Sequence, residues 1–280
     1  MKVVVAEHAG VCYGVERALK LAHEAARCGG EVHTLGPLIH NPQAVAALER
    51  SGVSVAESVD DVSTGTLVIR THGVDPSAIE HAEERGLEVV DATCPFVSTA
   101  QRHAARLSRE GYTVVIVGEA DHPEVEGIVA HAGGHAVIVE SAQDLPGTLP
   151  SRRVGVVVQT TQSPSRLQEV TAALLPRVNE LRVFNTICSA TAQRQRAADE
   201  LARRVDVMVV VGGHNSGNTT RLAEICRAAN EHVYHVETAQ EVRPEWFRGV
   251  EIVGVTAGAS TPDAQIAGVI SAIEAMGADE

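Results

Sequence analysis

The stretch 89–118, VVDATCPFVSTAQRHAARLSREGYTVVIVG, decides the fold. A β-branched run leads to Cys94, a helix-forming segment spans Phe96–Glu110, and the apolar run TVVIVG (113–118) closes on glycine. β-Branched runs bounded by Gly and alternating with amphipathic segments predict βα units and mainly parallel sheets. The same pattern continues in both directions. Further strands are predicted at VVVA (3–6), TLVIRT (66–71), VGVVVQT (154–160), VDVMVVVGG (205–213) and EIVGVTAG (251–258), with helices over Gly14–Arg27 and Thr191–Arg204.

The stretch is also one copy of a repeat. Gly36, Gly118 and Gly212 each follow a cysteine by 24 residues, the cysteines being Cys12, Cys94 and Cys188. Four positions after those glycines stand His40, His122 and Ser216, opening the loops IHNPQAV, DHPEVEGI and NSGNTTRL. A second strand–loop–helix unit follows in each third, with loops RTHGVDP, QTTQSP and AGASTP. These loops close on Asp75-Pro76, Ser163-Pro164 and Thr261-Pro262, a capping residue followed by proline at the helix start. VVDATC and VFNTIC lead into the second and third cysteines alike. Self-similarity at this period predicts three quasi-equivalent α/β lobes, 1–94, 95–188 and 189–280.

The chain has 280 residues and is 44% hydrophobic but only 2% aromatic, so its core must be built from Val, Ala, Leu and Ile. A net charge of −13 argues against nucleic acid or an anionic membrane as the main partner. No apolar run is long enough to span a bilayer, and MKVVVAEHAG reads as a strand and turn rather than a signal peptide, which predicts a cytoplasmic protein. Five cysteines, an odd number, suit metal ligands or reactive thiols better than a disulfide framework.

Three lobes around a pseudo-threefold axis would bring Cys12, Cys94 and Cys188 together. Three thiolates suit an iron–sulfur cluster with one iron open to substrate, although the short CxxC spacings of ferredoxins are absent. Cys28 and Cys226 fall outside the repeat and read as structural. The strand-end loops, where parallel sheets bind ligands, carry His40, Asn41, His72, His122, Glu124, Thr160, Thr161, Ser216, Asn218 and Ser260. Neutral and cationic donors beside helix N-termini suit a diphosphate. Helix capping alone accounts for Asp75, Ser163 and Thr261. Glu124 is a carboxylate among anion-binding donors and reads as a proton donor, while Glu126 reads as structural.

GVCYGVERAL, LGPLIHNPQAV, RTHGV, VVDATCP, HPEVEG, VQTTQS, NTICSATAQRQ, GGHNSGNTTRL and GVTAGASTPD occur in this order across essentially the whole chain. With these motifs the sequence resembles the LytB/IspH family of 4-hydroxy-3-methylbut-2-enyl diphosphate reductases of the non-mevalonate isoprenoid pathway. The resemblance implies a three-lobed cloverleaf around a [4Fe–4S] cluster held by Cys12, Cys94 and Cys188. It implies a diphosphate held by His40, His72, His122, Ser216, Asn218 and Ser260. Glu124 would supply protons, with Thr160 ordering the substrate hydroxyl. A ferredoxin or flavodoxin would deliver two electrons singly, and the products would be isopentenyl and dimethylallyl diphosphate. The chain departs from the family at Gly217, where a second serine is common, at Val11, and at Ser189 and Ala192. Three other readings share features with this one: a quinolinate-synthase-type three-cysteine enzyme, a non-catalytic iron–sulfur sensor, and a zinc site of three Cys and one His.

Overall fold

The computed structural model of the chain describes residues 1–277. The chain opens with β1 (Lys2–Val5), α1 (Tyr13–Cys28), β2 (Val32–Leu35), α2 (Pro42–Arg50), β3 (Val53–Ala56), β4 (Thr66–Ile69), α3 (Pro76–Glu84) and β5 (Glu88–Asp91). Then come α4 (Pro95–Arg109), β6 (Thr113–Val117), α5 (Pro123–His131), β7 (Val137–Val139), β8 (Arg153–Val158), α6 (Pro164–Leu174) and β9 (Glu180–Val183). The last third holds α7 (Ser189–Ala202), β10 (Val207–Val211), α8 (Gly217–Ala229), β11 (Val233–Val236), β12 (Ile252–Ala257) and α9 (Asp263–Gly277). Every predicted strand and helix is present, with ends displaced by a residue or two.

The strands form three four-stranded, all-parallel sheets: β3-β2-β4-β5, β7-β6-β8-β9 and β1-β12-β10-β11. Read from the same edge, the three orders are identical once β1 is counted as the last strand of the third sheet. In each sheet the edge strand is the one preceding a cysteine. For Cys94 that strand is β5 and for Cys188 it is β9. For Cys12 it is β1, which the chain supplies at its start to close the sheet built at its end. The expected first lobe, 1–94, is corrected accordingly: residues 2–5 lie in the third sheet. Nothing local in VVVA specifies this, because parallel pairing is a long-range choice.

The chain folds as two compact units. The first comprises Met1–Val15, His40–Ala44 and Ser189–Glu280, and the second Glu16–Ile39 and Val45–Cys188. In the first unit the sheet is covered on both faces. Val207, Val209, Val211, Val253, Val255 and Ala257 pack on α9 through Ile266, Val269 and Ile273. Met208 and Val210 point the other way, onto Ala198, Leu201 and Leu222 of α7 and α8. The second unit repeats the scheme: Val114, Ile116 and Val157 face α4 and α5, while Val115, Val117, Val156 and Val158 face α6. Burial on both faces explains why these strands read as unbroken apolar runs.

Two strand glycines make room for helix leucines. A Cβ on Gly155 in β8 would lie 2.3 Å from a methyl of Leu107, and one on Gly254 in β12 would lie 3.1 Å from Leu201 Cγ. Leu107 is fully buried and has nowhere to move. Gly155→Ala is therefore expected to destabilise the protein by about 1–3 kcal/mol through overpacking. A denaturation midpoint equal to that of the wild type would show that α4 can shift.

Candidate functional site

In each sheet, chain order reverses between the two central strands: β2 and β4, β6 and β8, β10 and β12. Such a switch point opens a crevice at the carboxyl ends of the strands. All the polar residues singled out from the sequence lie on the six loops leaving these strands or on the first turn of the helix that follows. His72, Thr161 and Ser260 occupy one shared position, the third after β4, β8 and β12.

The cysteines are placed by a common device. The Cys12 N–H donates to Ala259 O, the Cys94 N–H to Thr71 O and the Cys188 N–H to Thr160 O, each at 3.0 Å. Ala259, Thr71 and Thr160 are each the second residue after β12, β4 and β8. The repeat thus extends to the hydrogen bond that fixes each cysteine backbone. None of the five cysteines is in a disulfide; Cys12 and Cys94 are partly exposed and Cys188 is buried. Cys226, in the last turn of α8, is enclosed by the core, and burial pushes its thiol up to about 12. Cys28 is exposed at the end of α1. Neither shares the backbone bond, in keeping with their place outside the repeat.

In the first unit, Ser216 caps α8 by accepting the Thr219 N–H, leaving its own hydroxyl proton to donate elsewhere. Asn218, in the first turn, is 6% exposed, and both its side-chain amide atoms lack a hydrogen-bond partner. Burying such a group unpaired costs about 1–3 kcal/mol, so the amide calls for a water or a polar ligand as partner. His40 and Asn41 are held close to Ser260. The Ser260 hydroxyl donates to His40 O at 3.2 Å, and Asn41 Nδ2 donates to Ser260 O at 2.9 Å. The Ser260 hydroxyl thus also helps to position His40. The loop after β10 needs Gly212, which has φ +145° and whose Cβ would sit 2.7 Å from Thr261 Oγ1. The Thr261 hydroxyl donates to Val211 O. This departs from the helix-capping role expected of Thr261, whereas Asp75 and Ser163 do cap α3 and α6.

In the second unit, Glu124 lies in the first turn of α5 and is 1% exposed. The Thr160 N–H donates to Glu124 Oε1 at 2.6 Å and the Thr160 hydroxyl to Oε2 at 2.8 Å. Burial raises the carboxyl to about 7, outweighing the two Thr160 bonds that pull it down; Glu119 adds a smaller upward push. A carboxyl poised there gives up a proton near neutral pH. His122 caps the same helix: its Nδ1 accepts the Glu124 N–H at 3.1 Å, so the neutral ring carries its proton on Nε2. The His72 and His122 rings meet edge to face, 5.4 Å apart. Thr161 is partly exposed and Glu126 is exposed.

Several buried polar groups went unremarked in the sequence. Gln159, adjacent to Thr160, accepts the Glu119 N–H and leaves its Nε2 unpartnered. Gln101 of α4 is also buried, with Nε2 unpartnered. Arg194 of α7 is 3% exposed and donates to Gly10 O at 2.7 Å, two residues before Cys12. The signal for Arg194 lay in the NTICSATAQRQ motif, but a helical arginine ordinarily reads as solvated.

The profile of the LytB protein family matches residues 3–274. A 4-hydroxy-3-methylbut-2-enyl diphosphate reductase of Geobacter sulfurreducens is 54% identical, covering 98% of this chain and 97% of that protein. One from Geobacter sp. strain M21 is 53% identical over 100% and 99%. Among solved structures, an (E)-4-hydroxy-3-methyl-but-2-enyl diphosphate reductase described as the terminal enzyme of the non-mevalonate pathway superposes with a TM-score of 0.73. It is 47% identical and covers 98% of this chain and 100% of that one. The Plasmodium falciparum E-1-hydroxy-2-methyl-but-2-enyl-4-diphosphate reductase shares the fold at a TM-score of 0.91 and 24% identity, covering 96% and 87%. With its motifs, its three like-ordered parallel sheets and this full-length similarity, the chain belongs to the LytB protein family.

Proposed function

We propose that this chain reduces (E)-4-hydroxy-3-methylbut-2-enyl diphosphate to isopentenyl and dimethylallyl diphosphate, the last step of the non-mevalonate route to isoprenoid precursors. The observation that carries this reading is full-length identity of 53–54% to reductases of that name. The net change breaks the allylic C–O bond, takes up two electrons and two protons, and releases water.

Cys12, Cys94 and Cys188 fit a [4Fe–4S] cluster that leaves one iron without a protein ligand, since all three lie outside any disulfide and are fixed by the same backbone bond. When bound, that cluster supplies single electrons and a Lewis-acidic iron for the allylic oxygen. Glu124 is the proton donor. Burial raises its carboxyl to about 7, so a substantial share keeps its proton at neutral pH, and Thr160 holds both oxygens in place. The Thr160 hydroxyl, already ordered by Glu124, is the group suited to orient the substrate hydroxyl and pass the proton.

His40, His72, His122, Ser216, Asn218 and Ser260 are the proposed diphosphate ligands. Asn218 is supported by its unpartnered buried amide, and Ser216 by a hydroxyl proton left to donate at a helix N-terminus. Support for the histidines comes from the resemblance. Gly217 is the first residue of α8, so its N–H is one of those a helix leaves unpaired, and it replaces the serine donor common in the family. Asn218→Ala is expected to raise KM about tenfold through loss of a hydrogen bond to a charged group, with kcat little changed. An unchanged KM would remove Asn218 from the site.

Among the described residues no helix is long and apolar enough to cross a membrane. A cytoplasmic location and a ferredoxin or flavodoxin donor belong to this proposal. The reading is tested by turnover in deuterated water with product mass spectrometry. It predicts loss of the hydroxyl and one solvent deuterium on carbon per product. Recovery of a product that keeps its hydroxyl would contradict it.

A further inference from the structure

We infer that the exposed face of α4 is the docking surface for an acidic one-electron carrier protein. The inference rests on the reductase reading above and adds the surface through which its electrons enter.

Helix α4 begins immediately after Cys94, which is its N-cap residue. Its inner face buries Val97, Ala100, Gln101, Ala104 and Leu107. Phe96, Thr99, Arg102, Arg106 and Arg109 recur at intervals of three and four and so form one stripe on the opposite side. Phe96 is 37% exposed, one of few large apolar side chains left to solvent. A shallow groove of about 370 Å³ runs along the stripe, lined by Thr99, Arg102, His103, Ala105, Arg106 and Arg109.

The charge is unusual for this chain, whose net charge is −13. Arg106 pairs with Glu110 at 2.7 Å, and Glu110 also takes Arg182, so one carboxylate serves two guanidiniums. Arg102 bonds to the Thr99 hydroxyl and Arg109 to Ala105 O; neither meets a carboxylate among the described residues. Arg17 adds a cation near Cys94, its guanidinium resting on Thr93 O and Asp91 O at 3.2 and 3.3 Å. The face therefore offers an apolar start beside a proposed cluster ligand and a positive run beyond it. A small, weak redox interface uses this combination, with charge steering the encounter. At a helical rise of about 1.5 Å per residue, Arg102 lies about 12 Å along the axis from Cys94. A carrier seated there gives up one electron per encounter and leaves oxidised, so two carriers serve each substrate.

The test uses the cluster-loaded protein, with purified oxidised flavodoxin as the binding probe. Calorimetric Kd values are measured at about 50 mM and about 200 mM salt. Turnover is measured separately with reduced flavodoxin and with reduced methyl viologen, a small donor that needs no docking site. In the Arg102→Glu/Arg109→Glu double variant we expect Kd and KM for flavodoxin to rise at least about tenfold. Methyl viologen turnover should be unchanged, as should both readouts in an Arg203→Glu control on α7. Unchanged flavodoxin affinity in the double variant, or no flavodoxin binding by the wild type, overturns the surface. Absent methyl viologen turnover overturns the reductase reading instead, and the binding measurement still decides the surface.

Discussion

Glu124→Gln is expected to lower kcat by about 10²–10⁴, the usual worth of a positioned acid, with iron content and diphosphate affinity retained. The substitution keeps shape and hydrogen bonding to Thr160 but removes the transferable proton. The same carboxyl predicts a stability signature that needs no cluster. Its native pKa of about 7 lies above the ordinary 4.5. Between these values the native state holds a proton that the unfolded chain has already lost, so stability falls as pH rises through this window and levels off above about 7. The shift corresponds to a penalty on the order of 3 kcal/mol at pH 8. Glu124→Gln should therefore be the more stable protein at pH 8 and should lose this part of the pH dependence. Parallel stability–pH curves for the two proteins would show that Glu124 is not a buried neutral acid.

Cys188→Ala, Cys94→Ala and Cys12→Ala are each expected to abolish turnover, because a cluster held by three thiolates does not keep its place on two. Cys28→Ala should leave turnover and iron content unchanged, since Cys28 is exposed and outside the repeat. Cys226→Ala should keep the iron and cost only the stability of a small buried side chain, about 1 kcal/mol. Iron analysis of the five variants separates the two classes. Loss of iron in the Cys28 variant, or full iron in any of the first three, would break the correspondence between repeat position and ligation.

Much of this arrangement was legible in the sequence. The strand and helix pattern survives because both faces of the second and third sheets are covered, which writes their central strands as Val-rich apolar runs. The repeat survives because each cysteine sits at a fixed distance from the loop after the next strand. What could not be read locally was pairing across distance. The closure of the third sheet by Lys2–Val5 and the clamp between Asn41 and Ser260, 219 residues apart, leave no nearby mark. Glu124 and Thr160 were each singled out, but their mutual bonding depends on β6 and β8 lying side by side. Thr261 shows the limit of reading a cap from Thr-Pro: its hydroxyl found a strand carbonyl.

The most direct test of the central claim is an anaerobic assay of (E)-4-hydroxy-3-methylbut-2-enyl diphosphate reduction with a strong one-electron donor, with iron and sulfide measured in the same sample. The account predicts turnover to isopentenyl and dimethylallyl diphosphate by protein carrying about four irons and four sulfides per chain. Protein with that full cluster content and no turnover would contradict it.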